Sequence, residues 1–157
     1  MKTETEMWKS IKSKTSASVH WTRIEARVGA GIPDINGAFL WPLQARESPI
    51  EIWVELKVCR TKAFKTAGLW RPAQVAWQTA RSFNSTNVWN LVSHPEAQHT
   101  KIYGGSKVAA LQFDETGEIP PDMVLGYREP WSVFLGFAAS RAFEPFPERM
   151  ARGPLSE

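Results

Sequence analysis

The chain contains a single cysteine, Cys59, and no long apolar run. One cysteine excludes an intramolecular disulfide and favours a reducing compartment. No apolar stretch approaches the roughly 20 residues that a membrane-spanning helix needs, and the lysine-rich start of the chain has no signal-peptide core. These absences predict a cytoplasmic protein with no membrane partner.

The sequence also lacks the usual residues of a zinc site and of a nucleotide-binding loop. His94 and His99 are five residues apart in a predicted loop, without a cysteine or a further histidine nearby, which disfavours a zinc site. The stretch 29–31 begins like a dinucleotide-binding loop, but Asp34 occupies the position of its third glycine, and residues 105–107 lack the spacing of a Walker loop. We therefore expect no nucleotide cofactor.

The composition is that of a globular chain with a mildly basic balance. Its 157 residues, 43% hydrophobic and 22% charged, are enough for one domain with a proper core. The net charge of +3 is compatible with a nucleic-acid partner but does not require one. Most of the eight tryptophans are expected in the core, although some could stack on bases.

The residues with the clearest chemistry are Asp34, which follows Pro33, and the segment Glu55-Leu56-Lys57. Two carboxylates supply oxygen ligands of the kind that Mg²⁺ prefers. Apolar residues alternate with polar ones along 50–58, which predicts a strand. Side chains two residues apart in a strand lie on one face, roughly 6 to 7 Å apart. Glu55 and Lys57 would then present a metal ligand and a cation side by side.

Periodicity and turn residues predict the remaining elements. The Asn36-Gly37 pair indicates a hairpin turn and competes with a continuous strand over 32–39, and both alternatives stay open. On the helix after Pro72 we expect Val75, Ala76, Ala80 and Phe83 to face inward and Gln74, Gln78 and Arg81 to lie along the other stripe. The predicted elements are helices over 3–14, 72–83 and 131–143, strands over 18–28, 50–58 and 88–92, a polar loop over 42–49, and a closing hairpin that joins 101–103 to 108–113.

Three segments together resemble the PD-(D/E)xK nuclease superfamily, and within it the VRR-NUC type: 31–34 (Gly-Ile-Pro-Asp), 55–57 (Glu-Leu-Lys) and 71–74 (Arg-Pro-Ala-Gln). The resemblance extends over about residues 1–112. It implies a restriction-endonuclease-like α-β-β-β-α-β core, with a mixed central sheet flanked by helices. It also implies Mg²⁺-dependent cleavage of DNA, with Mn²⁺ as a substitute, by a homodimer that acts on branched DNA as phage Holliday-junction resolvases do. For a phage-encoded protein the compartment would be the host cytoplasm.

The resemblance also implies roles for individual residues. Asp34, Glu55 and the backbone carbonyl of Leu56 would bind the metal, Lys57 would act on the attacking water, and Gln74 would lie beside the site. A glutamate on the first helix often reaches such a site, and Glu4 fits that position better than Glu6. Glu25 is an alternative member of the acidic cluster, or a partner of Arg23. The candidates for contacts with DNA phosphates are Arg23, Arg60, Lys62, Lys65 and Arg71.

These patterns lead to a predicted function and domain division. Residues 1–113 would form the nuclease-like core, and 114–157 a proline-rich extension with one helix, in the same domain or at a dimer interface. The predicted function is a Mg²⁺-dependent endonuclease, structure-selective, in viral or mobile-element replication, recombination or repair. The alternatives are a non-catalytic module that binds nucleic acid or protein on the same fold, and a structural protein of a virus or complex.

Overall fold

The protein folds as an α/β structure around one six-stranded mixed sheet flanked by helices, which confirms the predicted α/β class and the mixed sheet between helices. The computed structural model describes residues 1–24, 30–43 and 46–143. None of the helices within these ranges is long and apolar enough to cross a membrane. The elements in chain order are α1 Glu4–Thr15, β1 Val19–Arg23, β2 Ile35–Leu43, β3 Arg46–Val58, α2 Pro72–Ser82, β4 Val88–His94, β5 His99–Gly104, α3 Val108–Leu111, β6 Met123–Gly126 and α4 Trp131–Ala142.

The strands lie in chain order across the sheet, and only one neighbouring pair is parallel. β3 and β4 run in the same direction, whereas all other neighbours are antiparallel. A parallel pair needs a crossover connection, and here α2 lies within that connection. The register places Glu55 of β3 beside Asn90 of β4, in the middle of the sheet.

Each face of the sheet carries its own core cluster. Ile52, Val54 and Leu56 of β3 pack with α1 and α4 in the larger cluster. Since side chains alternate along a strand, Trp53, Glu55 and Lys57 lie on the opposite face, as the sequence predicted. The smaller cluster on that face contains Cys59, Trp70, Val92, Tyr103, Val108 and Leu111.

The segment after residue 113 contributes to both the sheet and the core. β6, a strand that the sequence analysis did not predict, pairs with β5 at one edge of the sheet. The predicted helix over 131–143 is confirmed as α4, and its Phe134 and Leu135 lie in the larger cluster. The described part of this segment, up to residue 143, is thus built into the fold of the preceding residues.

The predicted polar loop over 42–49 is wrong, because β2 and β3 form a long hairpin whose register continues to Leu43 opposite Arg46. Pro42 and Pro49 lie within this hairpin. In the described part of the chain, β1 pairs with β2 only as far as Phe39, and β4 pairs with β3 only from Trp53. Both prolines therefore lie where a strand has one neighbour, so that a missing N–H can be tolerated.

The Asn36-Gly37 pair lies inside β2 and is not a turn. A Cβ atom on Gly37 would come within 2.5 Å of the Trp21 ring. The glycine therefore admits an indole from the neighbouring strand. Of the predicted strand over 18–28, Val19–Arg23 is confirmed as β1, and residues 25–29 lie outside the described ranges.

The predicted closing hairpin is also wrong. Residues 108–111 form the short helix α3, and the second neighbour of β5 is β6. Val108 and Leu111 are three residues apart, so one helical turn places both of them in the smaller cluster, where they are fully buried. Phe113, expected in that hairpin, is 76% exposed.

The helix predicted over 72–83 is confirmed as α2; of the residues expected on its inner face, Val75 packs against the smaller cluster, but the prediction is wrong for the other three. Gln74 and Gln78 are buried, with exposed fractions of 4% and 0%. Phe83, expected to face inward, is 58% exposed, and Ala76 and Ala80 are also exposed. α2 therefore packs on the sheet through amide side chains.

A buried group of hydrogen bonds explains this polar packing. The Gln78 amide donates to Asn90 Oδ1 (2.8 Å), and the Asn90 amide donates back to Gln78 Oε1 (2.7 Å). Trp70 Nε1 donates to the same Asn90 oxygen (2.9 Å). Buried amides are tolerated when they are hydrogen-bonded, and these bonds position α2 over the centre of β4.

The start of α2 also contacts the segment that precedes Asp34. Gly31 has a φ of +67°, a conformation that side chains other than glycine rarely adopt. A Cβ atom there would lie 2.0 Å from the carbonyl oxygen of Ala73 in the first turn of α2. Gly31 thus lets the backbone before Asp34 approach the backbone of the helix.

We expect Gly31→Ala to destabilise the protein by about 2–5 kcal/mol, because it combines a strained φ with a backbone clash. Gly68→Ala is the matched control, since Gly68 has a φ of +75° and nothing within 4 Å of its would-be Cβ. That control should lose only about 1–2 kcal/mol. Urea unfolding of both variants measures the difference, and equal losses would contradict the close approach of Gly31 to α2.

Candidate active site

Asp34, Glu55 and Lys57 come together at the meeting point of β2 and β3. Asp34 immediately precedes β2, whose first residue pairs with Val54 of β3. The Leu56 backbone N–H donates to Asp34 Oδ2 (2.8 Å), which fixes the carboxylate against β3. The hydrogen bonds between the strands thus bring together two acidic residues that are distant in sequence.

Glu55 is a fully buried carboxylate, with an exposed fraction of 1%. Its Oε1 lies 3.0 Å from the Lys57 ammonium and accepts a hydrogen bond from the Gln74 amide (2.6 Å). Its Oε2 is buried and has no hydrogen-bond partner among the described residues. A buried carboxylate oxygen left in this way is costly, so Glu55 has an unused coordination position.

Gln74 links α2 to both charged groups of β3. While its amide nitrogen donates to Glu55, its Oε1 accepts from the Lys57 ammonium (3.2 Å) and from the Arg71 backbone N–H (2.9 Å). The last of these bonds also satisfies a free N–H at the start of the helix. The predicted place of Gln74 beside Glu55 and Lys57 is therefore found, and all three side chains are mutually hydrogen-bonded.

Burial dominates the electrostatics of the two carboxyls. Burial, helped by the nearby Asp34 charge, raises the pKa of Glu55 from 4.5 to about 7 against the opposing effect of Lys57. Burial also raises the pKa of Asp34, against the hydrogen bond from Leu56 and the charge of Lys57. Near neutral pH the two carboxyls therefore resist ionising together, as closely spaced acids do.

Glu4 lies at the edge of this group, on the first turn of α1. It is half-exposed, with its carboxylate 3.6 Å from the Arg60 guanidinium, and its charge contributes to the raised pKa of Asp34. Glu6 is exposed, and its carboxylate accepts from the backbone N–H of Lys2 (2.6 Å). Glu25, the third candidate for the acidic cluster, lies outside the described residues.

The predicted DNA-contacting residues are at least partly exposed, and Arg23, Arg60 and Arg71 are the ones near the acidic group. Arg23, at the end of β1, is close enough to lower the pKa of Asp34 against the effect of burial. Lys65 lies 3.6 Å from Glu115. Arg60 and Lys62 lie in the connection after β3, and Arg71 precedes α2; all three are exposed.

The histidines expected in a loop are paired strand residues instead. His94 ends β4, His99 begins β5, and the two are register partners. Nε2 of His94 donates to the backbone carbonyls of Thr61 and Lys62 (3.0 and 3.2 Å). His94 is thus engaged in tying the connection after β3 to the sheet.

The donors at the site fit a hard divalent cation better than a soft one. Asp34 and Glu55 offer carboxylate oxygens, and Glu55 Oε2 has no hydrogen-bond partner among the described residues, so it can accept a cation or a proton. Within the residues that the structure describes, no three His, Cys, Asp or Glu side chains are grouped to hold a metal ion. Mg²⁺ is suited to such a set, since it commonly uses one or two carboxylates with water and phosphate oxygens. The Leu56 carbonyl stays a predicted ligand.

Sequence reasoning missed the residues that hold α2 in place, namely Gln78, Asn90 and Trp70. Their signal was present, because Asn90 interrupts an apolar strand and Gln78 lies one helical turn after Gln74. A polar residue in a buried strand requires a partner. A second amide on the neighbouring helix supplies it here.

Fold and site define the chain as an α/β protein with a paired-carboxylate and lysine centre buried between a sheet and a helix. Compared with known proteins, the chain matches no protein-family profile and no curated protein. The resemblance to PD-(D/E)xK nucleases therefore stays a prediction from its three short segments.

The raised pKa of Glu55 predicts a pH-dependent stability in metal-free buffer. The folded state binds this proton more tightly than the unfolded chain, so the contribution of Glu55 to stability is fully present below about pH 4.5 and is lost as the pH rises through about 7. The loss should be on the order of 3 kcal/mol. Glu55→Gln should abolish this part of the pH dependence.

The melting temperature of each protein is measured in EDTA at pH 5 and at pH 8. The difference between these two temperatures is then compared between the wild type and the variants. Glu51→Gln is the matched control, because Glu51 is an exposed glutamate on the same strand. The control should keep the wild-type pH response. An unchanged response in Glu55→Gln would mean that Glu55 titrates normally.

Proposed function

We propose that the protein is a divalent-metal-dependent nuclease that hydrolyses phosphodiester bonds in DNA and selects branched or otherwise structured substrates. The observation that carries the proposal is the buried Glu55 carboxylate, which has one oxygen on Lys57 and Gln74 and the other without a partner. A carboxylate buried at such cost is typical of a functional centre.

The order of elements also supports the proposal. The first six elements are α1, β1, β2, β3, α2 and β4, and β3 with β4 is the parallel pair. This order agrees with the α-β-β-β-α-β core that the resemblance implies. Within this order, Asp34 directly precedes β2, and Glu55 and Lys57 lie on β3.

Asp34 and Glu55, with the Leu56 carbonyl as a further candidate, would hold Mg²⁺ or Mn²⁺. When bound, such an ion lowers the pKa of a coordinated water and offsets charge on the phosphate oxygens. Glu55 must be ionised to act as a ligand, so metal affinity should rise with pH through the range near its pKa of about 7.

Lys57 supplies the fixed positive charge of the site. Its ammonium is held by Glu55 Oε1 and Gln74 Oε1, and its side chain is 14% exposed. An ammonium held in this position can orient the attacking water and stabilise negative charge that develops on the phosphate. Gln74 is a positioning residue, since it fixes both Glu55 and Lys57.

The proposal includes a partner and a setting that the resemblance implies. The substrate would be junction or flap DNA, the active form a homodimer, and the process viral or mobile-element replication, recombination or repair. Contacts to the sugar-phosphate backbone from exposed residues such as Arg23 and Arg71 would recognise shape and not base sequence.

The proposal predicts metal-dependent cutting that requires all three charged residues. Asp34→Ala, Glu55→Gln and Lys57→Ala should each lower cleavage by at least about a hundredfold, because each removes a charge that acts on the reacting phosphate or its metal. Junction, flap, single-stranded and duplex DNA are incubated with Mg²⁺, Mn²⁺ or EDTA, and products are resolved on denaturing gels.

Glu51→Ala is the control, since Glu51 lies on the same face of β3 but is exposed. It should cleave like the wild type. Mg²⁺ at a hundred times its Kd should also stabilise the wild type by about 2.7 kcal/mol and leave Glu55→Gln unaffected in thermal melts. DNA binding without metal-dependent products would instead favour a non-catalytic binding module.

A further inference from the structure

A second surface adjoins the site and is not used by the proposed chemistry. Trp53 of β3 and Trp77 of α2 are in contact, with ring centroids 5.6 Å apart and planes inclined by 59°. The Arg81 guanidinium lies 5.8 Å from the first ring and 5.6 Å from the second. We call these three side chains the Trp53–Trp77–Arg81 patch.

Two elements lead from the site to this patch. Along β3, Trp53 lies two residues before Glu55 and therefore on the same face. Along α2, Trp77 lies three residues after Gln74 and Arg81 lies seven residues after it. This spacing places all three on one side of the helix. Since Glu55 and Gln74 are hydrogen-bonded, the patch is a direct continuation of the site.

The patch is open to solvent mainly at Trp77 and Arg81. All three side chains are partly buried, and Trp53 Nε1 is fully buried without a hydrogen-bond partner among the described residues. An open groove of about 490 Å³ is lined by Trp77, Ala80, Arg81, Asn84 and Ser85. Arg81 forms no salt bridge with an acidic residue in the described ranges, so its charge is compensated only by the two indole faces.

The composition of the patch fits one class of ligand. Indole faces stack on unpaired bases, whatever the base, and an arginine beside them contacts the phosphate between two bases. A fully paired duplex keeps its base faces stacked inside and cannot offer them. An acidic peptide would use the charge of Arg81 but not two adjacent indoles.

We propose that the Trp53–Trp77–Arg81 patch binds a single-stranded DNA segment next to the bond that is cut. This inference rests on the proposed nuclease function and names the substrate class of the same site. Trp53 and Glu55 lie roughly 6 to 7 Å apart along the strand. The unpaired bases would therefore lie directly beside the scissile phosphate, as in a flap or a splayed arm.

The test measures binding and cutting separately. Fluorescence anisotropy in EDTA reports the affinity for labelled oligo-dT and for a duplex of the same length. Trp77→Ala should bind oligo-dT roughly five- to a hundredfold more weakly, and Trp77→Phe should retain most of the affinity because it keeps a ring. Arg81→Gln should reduce the slope of log affinity against log salt by about 0.7.

Lys12→Ala is the matched control. Lys12 lies 5.7 Å from the ring of Trp8, which itself contacts Trp21, so the protein contains a second cation and tryptophan pair on α1 and β1. This control should bind oligo-dT like the wild type. Thermal melts establish that each variant is folded. If Trp77→Ala does not fold, Arg81→Gln tests the inference in its place, because it keeps most of the side-chain stem.

The outcomes separate this inference from the proposed function. Wild-type affinity for oligo-dT in folded Trp77→Ala and Arg81→Gln would overturn the inference, even if Mg²⁺-dependent cutting is observed. Loss of oligo-dT binding in these variants supports it, even if the wild type cuts nothing and the nuclease proposal fails. If both proposals hold, the wild type cuts flap DNA faster than blunt duplex, and Trp77→Ala loses that preference.

Discussion

The hydrogen bond between Gln74 and Glu55 is the contact on which the arrangement of the site depends. It joins the only helix in the parallel crossover to the central strand, at a distance of 2.6 Å and out of solvent. The amide oxygen of Gln74 accepts hydrogen bonds from the Lys57 ammonium and from the backbone N–H of Arg71, just before α2. One side chain thus fixes the helix, the carboxylate and the ammonium relative to each other.

This arrangement has a cost in stability that the fold must offset. A Glu55 carboxyl with a pKa near 7 disfavours its ionised form by on the order of 3 kcal/mol relative to the unfolded chain, a large share of the 5–15 kcal/mol typical of a domain. The apolar cluster beneath β3, where Ile52 and Val54 are fully buried, supplies the opposing stabilisation. The same strand therefore provides stability on one face and charged chemistry on the other.

The sequence predicted what local periodicity encodes. The alternation along β3 and the spacing of Glu55 and Lys57 follow from a period of two, and α1, α2 and α4 follow from their helical patterns. The errors arose where tertiary contacts override local signals. Prolines at 42 and 49 suggested a loop, but the strands there each have one neighbour, and Gln74 and Gln78 looked like a solvent face because their partners, Glu55 and Asn90, lie on distant strands.

The inverted polarity of α2 has a physical reason that connects fold and proposed function. A helix that packed through leucines would leave the Glu55 carboxylate and the Lys57 ammonium with only each other, and a buried ion pair needs further hydrogen bonds to offset its desolvation. Gln74 gives each of them a further hydrogen bond, and Gln78 holds Asn90 at the same time. Trp77 lies beside the buried residues Gln74 and Gln78 on α2, and there its ring contacts Trp53 next to the site. The same choice of inner residues thus builds the charged centre and exposes the aromatic surface next to it.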